Sequence, residues 1–226
     1  MEARDFTVEG IEMVSIAGDT FFMGATENDR FANRHELPRH EVKVKAFFVS
    51  KYLITEAQYS CLMGLEPTEP SLPAVNVSWE DAQKFCDRLS AKSNQSFRLP
   101  TEEEWEFIYR AGSELAFPEG DFTTLKEGNF LYDELGNRIG LGMRTKGGSY
   151  PLNAFGVGDL LGNATEWTAT SWRTDYSEGV TEDSELKVIR GGGWDSIPRL
   201  LRCSNRDYAE PSHKTDNLGF RIILAQ

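Results

Sequence analysis

Cysteine and histidine, the side chains that most often carry redox, nucleophilic or transition-metal chemistry, are few in this 226-residue sequence. Cys61, Cys86 and Cys203 form neither a CxxC pair nor an even-numbered framework, so their spacing predicts neither a zinc ribbon nor a disulfide scaffold. His35 and His40 stand apart from other candidate ligands, whereas histidine metal ligands usually occur in clusters. We therefore predict reduced, mostly buried thiols and structural histidines.

One pair of acidic residues has a spacing that is compatible with a hard cation. Asp159 and Glu166 are separated by the turn Gly162-Asn163, so both carboxylates and the intervening carbonyls could converge on one ion. Ca²⁺ takes about six to eight oxygen ligands, and only two carboxylates are visible here. The spacing alone favours two acids that cap or solvate a turn.

The longest stretch without a secondary-structure period runs from Arg190 to Arg221. It opens with three glycines, which permit backbone conformations that a Cβ atom would forbid, and it ends in an apolar strand candidate at 220–224. Between these lie aromatic, basic and acidic residues that predict a long, ordered loop. Such loops are uncommon in compact domains and are usually functional, although a structural crossover held by arginine–carboxylate pairs is the alternative.

The elements that must position these residues are short. Alternating or aromatic runs at 6–16, 20–23 and 42–46 predict a half-buried antiparallel sheet. Thr55, Ser78 and Thr101 each precede an acid or a glutamine by three residues, which predicts three helices that begin with capping boxes. The second helix has one apolar stripe, formed by Trp79, Ala82, Phe85, Cys86 and Leu89.

Composition narrows the class of protein. A net charge of −12 argues against nucleic-acid and anionic-membrane partners, and 39% hydrophobic residues indicate a globular chain. No Gly/Ser-rich or Pro-rich linker divides residues 1–226, so we predict a single domain. The chain shows no signal-peptide pattern and no run of 18 apolar residues, which predicts a cytoplasmic protein, or an exported or surface protein if a signal was removed.

Seven segments, taken together and in order, resemble the formylglycine-generating enzymes, also called sulfatase-modifying-factor domains. The resemblance spans about residues 11–226 and rests on FFMGA (21–25), LPRHEV (37–42), AVNVSWEDAQKFC (74–86), RLPTEEEWEFIYRAG (98–112), GNATEW (162–167), RGGGW (190–194) and NLGFR (217–221). It implies a single α+β domain of the C-type-lectin-like kind, with a small twisted antiparallel sheet, few helices and much irregular chain.

The resemblance also implies a structural calcium ion at the GNATEW turn. The matching ligands are Asp159, the carbonyls of Gly162 and Ala164, and Glu166. A second family site would begin at Asn129, but the acid that the family pattern requires for it is replaced by Ile139.

The sequence departs from the active enzymes in its final stretch. Those enzymes hold copper(I) with two cysteines shortly after the RGG motif, and soft thiolates are suited to that ion. Here Ser196 stands where the first thiol is expected, and Cys203 falls on neither catalytic position. We therefore do not expect a two-thiolate copper site.

We predict that the chain is a non-catalytic binding module for a protein or another macromolecule. The resemblance extends to the variable proteins of diversity-generating retroelements, which place their ligand-contacting residues between the RGG and GFR motifs. The candidate contacts are Trp194, Asp195, Ser196, Arg199, Leu201, Asn205, Tyr208, His213 and Lys214. One alternative is an oxidoreductase that uses Cys203, alone or with His213, its pKa depressed by Arg202 and Arg206. Another is a purely structural subunit.

Overall fold

The computed structural model describes residues 5–118, 120–177 and 179–225, apart from the side chains at 183 and 184. The strands are β1 (Phe6–Val8), β2 (Ile11–Ile16), β3 (Thr20–Met23), β4 (His40–Lys43), β5 (Phe47–Ser50), β6 (Phe97–Arg98), β7 (Thr165–Trp172), β8 (Asp183–Arg190), β9 (Arg206–Ala209), β10 (Leu218–Gly219) and β11 (Ile223–Ala225). The α-helices are α1 (Glu56–Met63), α2 (Trp79–Ser93) and α3 (Glu102–Arg110), and short 3-10 turns cover Arg34–Glu36 and Pro198–Leu201.

Two sheets form the framework. The first has five antiparallel strands in the order β1-β2-β5-β11-β6, so the last strand of the chain lies between strands from its first hundred residues. The second has the order β10-β7-β8-β9, and the β3-β4 hairpin stands beside them. This mixed α+β architecture, with short helices and much irregular chain, confirms the predicted fold class.

All three predicted helix starts are confirmed. Thr55, Ser78 and Thr101 each accept a hydrogen bond from the third helical N–H, and the side chain at that position reaches back to the cap. Along α2, Ala82, Phe85, Cys86 and Leu89 are buried in a core that also contains Trp167 and Phe220. The apolar stripe therefore faces the core, as its spacing predicts.

The stretch 190–221 is more regular than the sequence indicates. It contains a 3-10 turn, β9 and β10, and of the strand expected over 220–224 only the end is a strand, because β11 begins at Ile223. A four-residue strand places only two side chains on each face, so its period is too short to recognise. The sequence also predicts a turn at GNATEW (162–167), whereas in the structure β7 begins within this motif at Thr165. No helix in the described ranges is long and apolar enough to cross a membrane.

Candidate recognition cleft

A glycine turn connects β8 to the segment that forms the candidate site. Gly191 and Gly192 have φ angles of 92° and 67°, a region that disfavours other residues. A Cβ atom at Gly192 would lie 2.6 Å from Cδ2 of Leu201, and one at Gly191 would lie 3.0 Å from Cζ2 of Trp105. The glycines thus allow the chain to turn closely over the core.

The chain beyond this turn borders a cleft of about 500 Å³, here called the recognition cleft. Its walls come from β8, β9, the 192–200 turn and the 213–218 segment. Its size is that of an ordinary ligand pocket. The structure brings together on these walls five of the predicted contacts, namely Asp195, Ser196, Asn205, Tyr208 and His213.

Tyr208 is the large aromatic side chain of the cleft. It lies on β9 with 47% of its surface exposed, and its ring packs on Trp172 with 4.6 Å between the centroids. The packing restricts the side chain while leaving one part of it open to a ligand. A rigid, partly exposed tyrosine is the kind of residue that dominates many protein interfaces.

Exposed acids give the cleft its charge. Asp195 and Asp207 are both exposed at its wall, and both carboxylate oxygens of Asp195 accept from Nδ2 of Asn217 at 2.9 Å. Arg190 also lines the cleft, but it is buried and its guanidinium is paired with Glu106. The accessible charge of the cleft is therefore acidic.

Two other predicted contacts, Trp194 and Leu201, make contacts within the fold. Trp194 is half-buried, and its indole N–H donates to the carbonyl of Asp216 at 3.2 Å, so the ring fixes the 213–218 segment. Leu201 is fully buried beside Phe117 and Phe130. Its side chain belongs to the core and is not available as the surface contact that the sequence predicted.

The remaining two lie outside the recognition cleft. Arg199 is exposed, and its guanidinium is 3.4 Å from a carboxylate oxygen of Glu134. Lys214 is exposed and forms an ion pair with Asp81 of α2, at the edge of a different groove. The nine predicted contacts therefore do not form one continuous surface.

Buried arginine–carboxylate pairs hold the floor of the cleft against α3. Arg206 donates to both oxygens of Glu102 at 2.7 and 2.8 Å, and Arg190 donates to Glu106. Burial opposes the charge of Arg190, yet Glu106 and Glu102 raise its pKa above the usual value. These arginines stabilise the fold and are not free for ligands, as the crossover alternative anticipated.

A second such cluster fixes the chain after the 3-10 turn. Arg202 donates to both oxygens of Glu36 at 2.7 Å and to Asp29 at 2.6 Å, and the hydroxyl of Ser204 donates to Glu36. Burial raises the pKa of Glu36, but the hydrogen bonds and charge of Arg202 outweigh it, so the net shift is downward. Glu36 therefore remains ionised at neutral pH.

The thiol of Cys203 does not have the properties of a reactive site. It is 1% exposed, it donates to the carbonyl of Leu115 at 3.1 Å, and burial raises its pKa to about 12. The expectation of a depressed pKa is therefore wrong, because burial outweighs Arg110 and the other nearby arginines. At the position expected for the first copper thiol, the hydroxyl of Ser196 accepts from the N–H of Gly193 at 3.0 Å.

The proposed calcium ligands have unequal surroundings. Asp159 is buried, its Oδ2 accepts from Gly148 N–H at 3.1 Å, and its Oδ1 has no hydrogen-bond partner. Burial raises the pKa of Asp159 to about 6. Glu166 accepts from Arg221 at 2.6 and 2.8 Å and from the Trp105 indole at 3.0 Å. Asp159 thus offers an oxygen that suits a cation, whereas a cation at Glu166 would share its oxygens with Arg221. The described residues contain no cluster of three or more His, Cys, Asp or Glu side chains suited to a metal, and calcium stays a prediction.

Some wall residues of the cleft were not foreseen. Asp207 lies next to Tyr208 on β9 and is exposed. The strand has only four residues, so the sequence contains no apolar–polar alternation long enough to show which side chains face outward. Asn217 and Thr165 reach the cleft because β10 runs parallel to β7 and places Leu218 opposite Thr165. Only the tertiary pairing brings these two segments together.

Comparison with protein families identifies the fold family. The sulfatase-modifying factor enzyme 1-like domain matches residues 2–226. The chain belongs to this family. The inactive C-alpha-formylglycine-generating enzyme 2 of Bos taurus is 33% identical over 66% of the chain. The chain spans 49% of the length of that protein and 37% of some other curated relatives.

Two solved structures share the whole sulfatase-modifying-factor fold. PvdO from Pseudomonas aeruginosa has a TM-score of 0.86 and 29% identity, and the match covers 98% of each chain. Treponema denticola variable protein 1 has a TM-score of 0.80 and 22% identity, again over 98% of each chain. The second likeness shows the fold alone.

Proposed function

We propose that this sulfatase-modifying-factor domain is a non-catalytic recognition module that binds a protein or another macromolecule in the recognition cleft. The observation that carries the proposal is the contrast between the floor and the wall of the cleft. Arg190 and Arg206 are buried and paired beneath it, whereas Tyr208, Asp195 and Asp207 remain exposed above. A stiff support under exposed aromatic and polar groups is what specific recognition requires.

The charge of the cleft indicates the chemistry of its ligand. With Asp195 and Asp207 exposed and Arg190 neutralised, the cleft favours a ligand that carries lysine or arginine. The net charge of −12 adds a long-range attraction for basic partners. Affinity should therefore fall as ionic strength rises.

A finer proposal concerns diversification. The shared scaffold with a solved variable protein is compatible with a role in displaying variable contacts, and this role requires surface positions that can change without loss of folding. Tyr208, Asp195 and His213 meet that requirement because they are exposed, whereas Leu201 and Asn205 are buried. Sequencing the locus in several isolates tests this proposal: changes concentrated at the exposed positions would support it, and changes at the buried positions would oppose it.

The oxidoreductase alternative is not favoured, because Cys203 is buried and its thiol is protonated at neutral pH. A copper(I) competition titration on the reduced protein, with oxygen uptake measured in the presence of a cysteine-containing peptide, tests this directly. We expect no tight copper binding and no uptake above buffer. Copper binding with uptake that Cys203→Ser removes would contradict the non-catalytic function.

We also propose a structural calcium ion that Asp159, Glu166 and the carbonyls of Gly162 and Ala164 would hold, supported by the unpaired Oδ1 of the buried Asp159. An ion that binds only the folded state stabilises it, so verified removal of calcium should lower the melting temperature. Asp159→Asn is the control, since calcium should not change its melting temperature. An unchanged wild-type melting curve after metal removal would rule out the site.

A further inference from the structure

A second cleft, of about 670 Å³, shares no wall residue with the recognition cleft. We call it the phenylalanine cleft, because its walls include Phe31, Phe117, Phe122 and Phe130. Phe117 and Phe130 are 5% and 1% exposed and form its floor, whereas Phe122 is 74% exposed at its mouth. The cleft therefore has an aromatic floor that is closed to water and an aromatic edge that is open to it.

The floor belongs to a small buried cluster that is separate from the two larger cores. Phe117 and Phe130 pack there with Leu201. Leu125 and Ile139 continue the apolar wall to the mouth, and both are exposed. Removing such a wall from water is favourable in proportion to its apolar area, so an apolar molecule in the cleft would enlarge this cluster and be held by it.

Charges of both signs surround the cleft, and they nearly balance. The described lining contains three cations and four carboxylates, namely Arg30, Lys126 and Arg199, and Asp121, Glu127, Asp133 and Glu134. One ion pair lies among them, because the guanidinium of Arg199 is 3.4 Å from Glu134. All seven side chains are exposed or half-buried, so water and salt screen them. A ligand of either charge would meet attraction and repulsion together, and the cleft therefore offers no anchor for a charged group.

The walls also offer no unpaired polar atom. In the part of the chain that the structure describes, buried side-chain nitrogen and oxygen atoms without a hydrogen-bond partner occur at His35, Arg39, Asp159, Arg173 and Arg190. None of these residues lines the phenylalanine cleft. A polar group on a ligand would lose its hydrogen bonds to water there and gain no buried partner.

The charged rim also decides between a small molecule and a macromolecule. A protein surface that covered the mouth would remove these charged side chains from water, and burying charges without well-placed partners is costly. A molecule small enough to enter the cleft covers the phenylalanine rings and leaves the charges hydrated. The volume of the cleft and its aromatic walls match the general form of small-molecule sites.

We propose that the phenylalanine cleft binds a small, uncharged, aromatic molecule. Its rings pack against Phe117 and Phe130 at the floor and against Phe122 at the mouth, in the offset or edge-to-face contacts that aromatic pairs prefer. The site uses none of the residues of the recognition cleft, so either proposal can fail without the other.

Two fluorescent probes test the proposal at pH 7, because they share one ring system and differ by a sulfonate. We expect N-phenyl-1-naphthylamine, which is neutral, to bind saturably at one site with an affinity that does not weaken as salt is added. Its charged counterpart, 8-anilinonaphthalene-1-sulfonate, should bind at least fivefold more weakly. The absence of saturable binding of the neutral probe would overturn the small-molecule site.

Competition tests the requirement for an uncharged ligand from both sides. The neutral 1-methylnaphthalene should displace the neutral probe, whereas 1-naphthoate and 1-naphthylmethylamine, which carry opposite charges at pH 7, should each need at least a tenfold higher concentration. Equal or stronger competition by either charged compound would overturn the assignment of an uncharged ligand.

Variants locate the site. Phe122→Ser and Ile139→Ser should each weaken the neutral probe at least fivefold. Phe22→Ser is the matched control and should bind as the wild type does, because Phe22 on β3 is also exposed and also lies under an arginine, with Arg39 at 5.3 Å. Since all three side chains are exposed, the melting temperatures should stay close to that of the wild type. Unchanged probe binding in both Phe122→Ser and Ile139→Ser would show that the cleft is not the binding site.

Discussion

The buried arginines around the recognition cleft each face a carboxylate, and this pairing decides what the residues can do. Arg202 and Glu36 are both almost fully buried, so Arg202 cannot bind a ligand without leaving the carboxylate of Glu36 in the interior without its cation. The sequence shows five arginines between positions 190 and 221 but does not show which are buried. Arg199 alone among them is exposed.

The pH dependence of stability follows from the same pair. Because the pKa of Glu36 is lower in the folded state than in the unfolded chain, its ionised form stabilises the fold above its ordinary pKa of about 4.3. That stability is lost as the pH falls through the folded-state pKa. We expect the free energy of unfolding of the wild type to drop more steeply between about pH 5 and 3 than that of Glu36→Gln.

Urea unfolding at a series of pH values measures this difference. At neutral pH the variant should be less stable, because Arg202 would lose its two bonds to an ionised Glu36 and keep only Asp29 as a carboxylate partner, and the gap to the wild type should narrow in acid. A gap that stays constant down to about pH 3 would show that Glu36 does not contribute in its ionised form.

At the residue scale, the sequence predicts only part of what the cysteines do. The absence of a copper pair is visible in the sequence, and so is the placement of Cys86 on the buried stripe of α2. The environment of Cys203 is not visible in the sequence, because the neighbouring arginines Arg202 and Arg206 suggest a positive field around the thiol. In the structure Arg202 and Arg206 are bound to carboxylates, and burial controls the thiol.

At the scale of elements, α3 supports the cleft by presenting two carboxylates on one buried face. Glu102 and Glu106 are four residues apart, so they point the same way toward β8 and β9. Glu106 contacts Arg110 and Arg190, and its Oε1 also accepts from the N–H of Gly24 at 2.8 Å. This one side chain therefore pairs with an arginine of its own helix and joins the helix to two separate parts of the chain, at Gly24 and at Arg190.

Removal of the negative charge of Glu106 should destabilise the folded protein. We expect Glu106→Gln to lower the free energy of unfolding by about 3–5 kcal/mol, because two buried guanidinium groups would lose their counterion. Glu103→Gln, on the more exposed face of the same helix, should change it by less than about 0.5 kcal/mol. Chemical denaturation of both variants makes the comparison, and similar values for the two would contradict the structural role of Glu106.

The sequence predicted elements well where local rules are strong. Capping boxes at Thr55, Ser78 and Thr101 fix helix starts through local hydrogen bonds, and the stripe of α2 identifies its buried face. It failed at β9 and β10, since strands this short depend on partners distant in sequence. The candidate contacts were recovered in part for the same reason. The sequence shows that these residues lie within the 190–221 stretch. Which of them face the recognition cleft depends on tertiary packing, which the sequence does not show.

At the scale of the whole molecule, the sulfatase-modifying-factor fold uses its two sheets and α3 as a support and leaves two clefts of different character at its surface. The recognition cleft is polar and acidic, whereas the phenylalanine cleft, at Phe117, Phe122 and Phe130, is largely apolar. Their ligands should therefore differ in polarity. A substitution in one cleft should not alter binding in the other.

Selection of binding peptides tests the central claim most directly. A random peptide library displayed on phage is selected against the wild-type protein, and the affinity of the selected peptides is measured by calorimetry for the wild type, Tyr208→Ala and Phe22→Ala. Phe22 is the matched control because it is an aromatic residue with the same 47% exposure as Tyr208. We predict selected peptides rich in lysine and arginine whose affinity falls at least tenfold in Tyr208→Ala and is unchanged in Phe22→Ala. Equal affinity for the wild type and Tyr208→Ala would contradict recognition through this cleft.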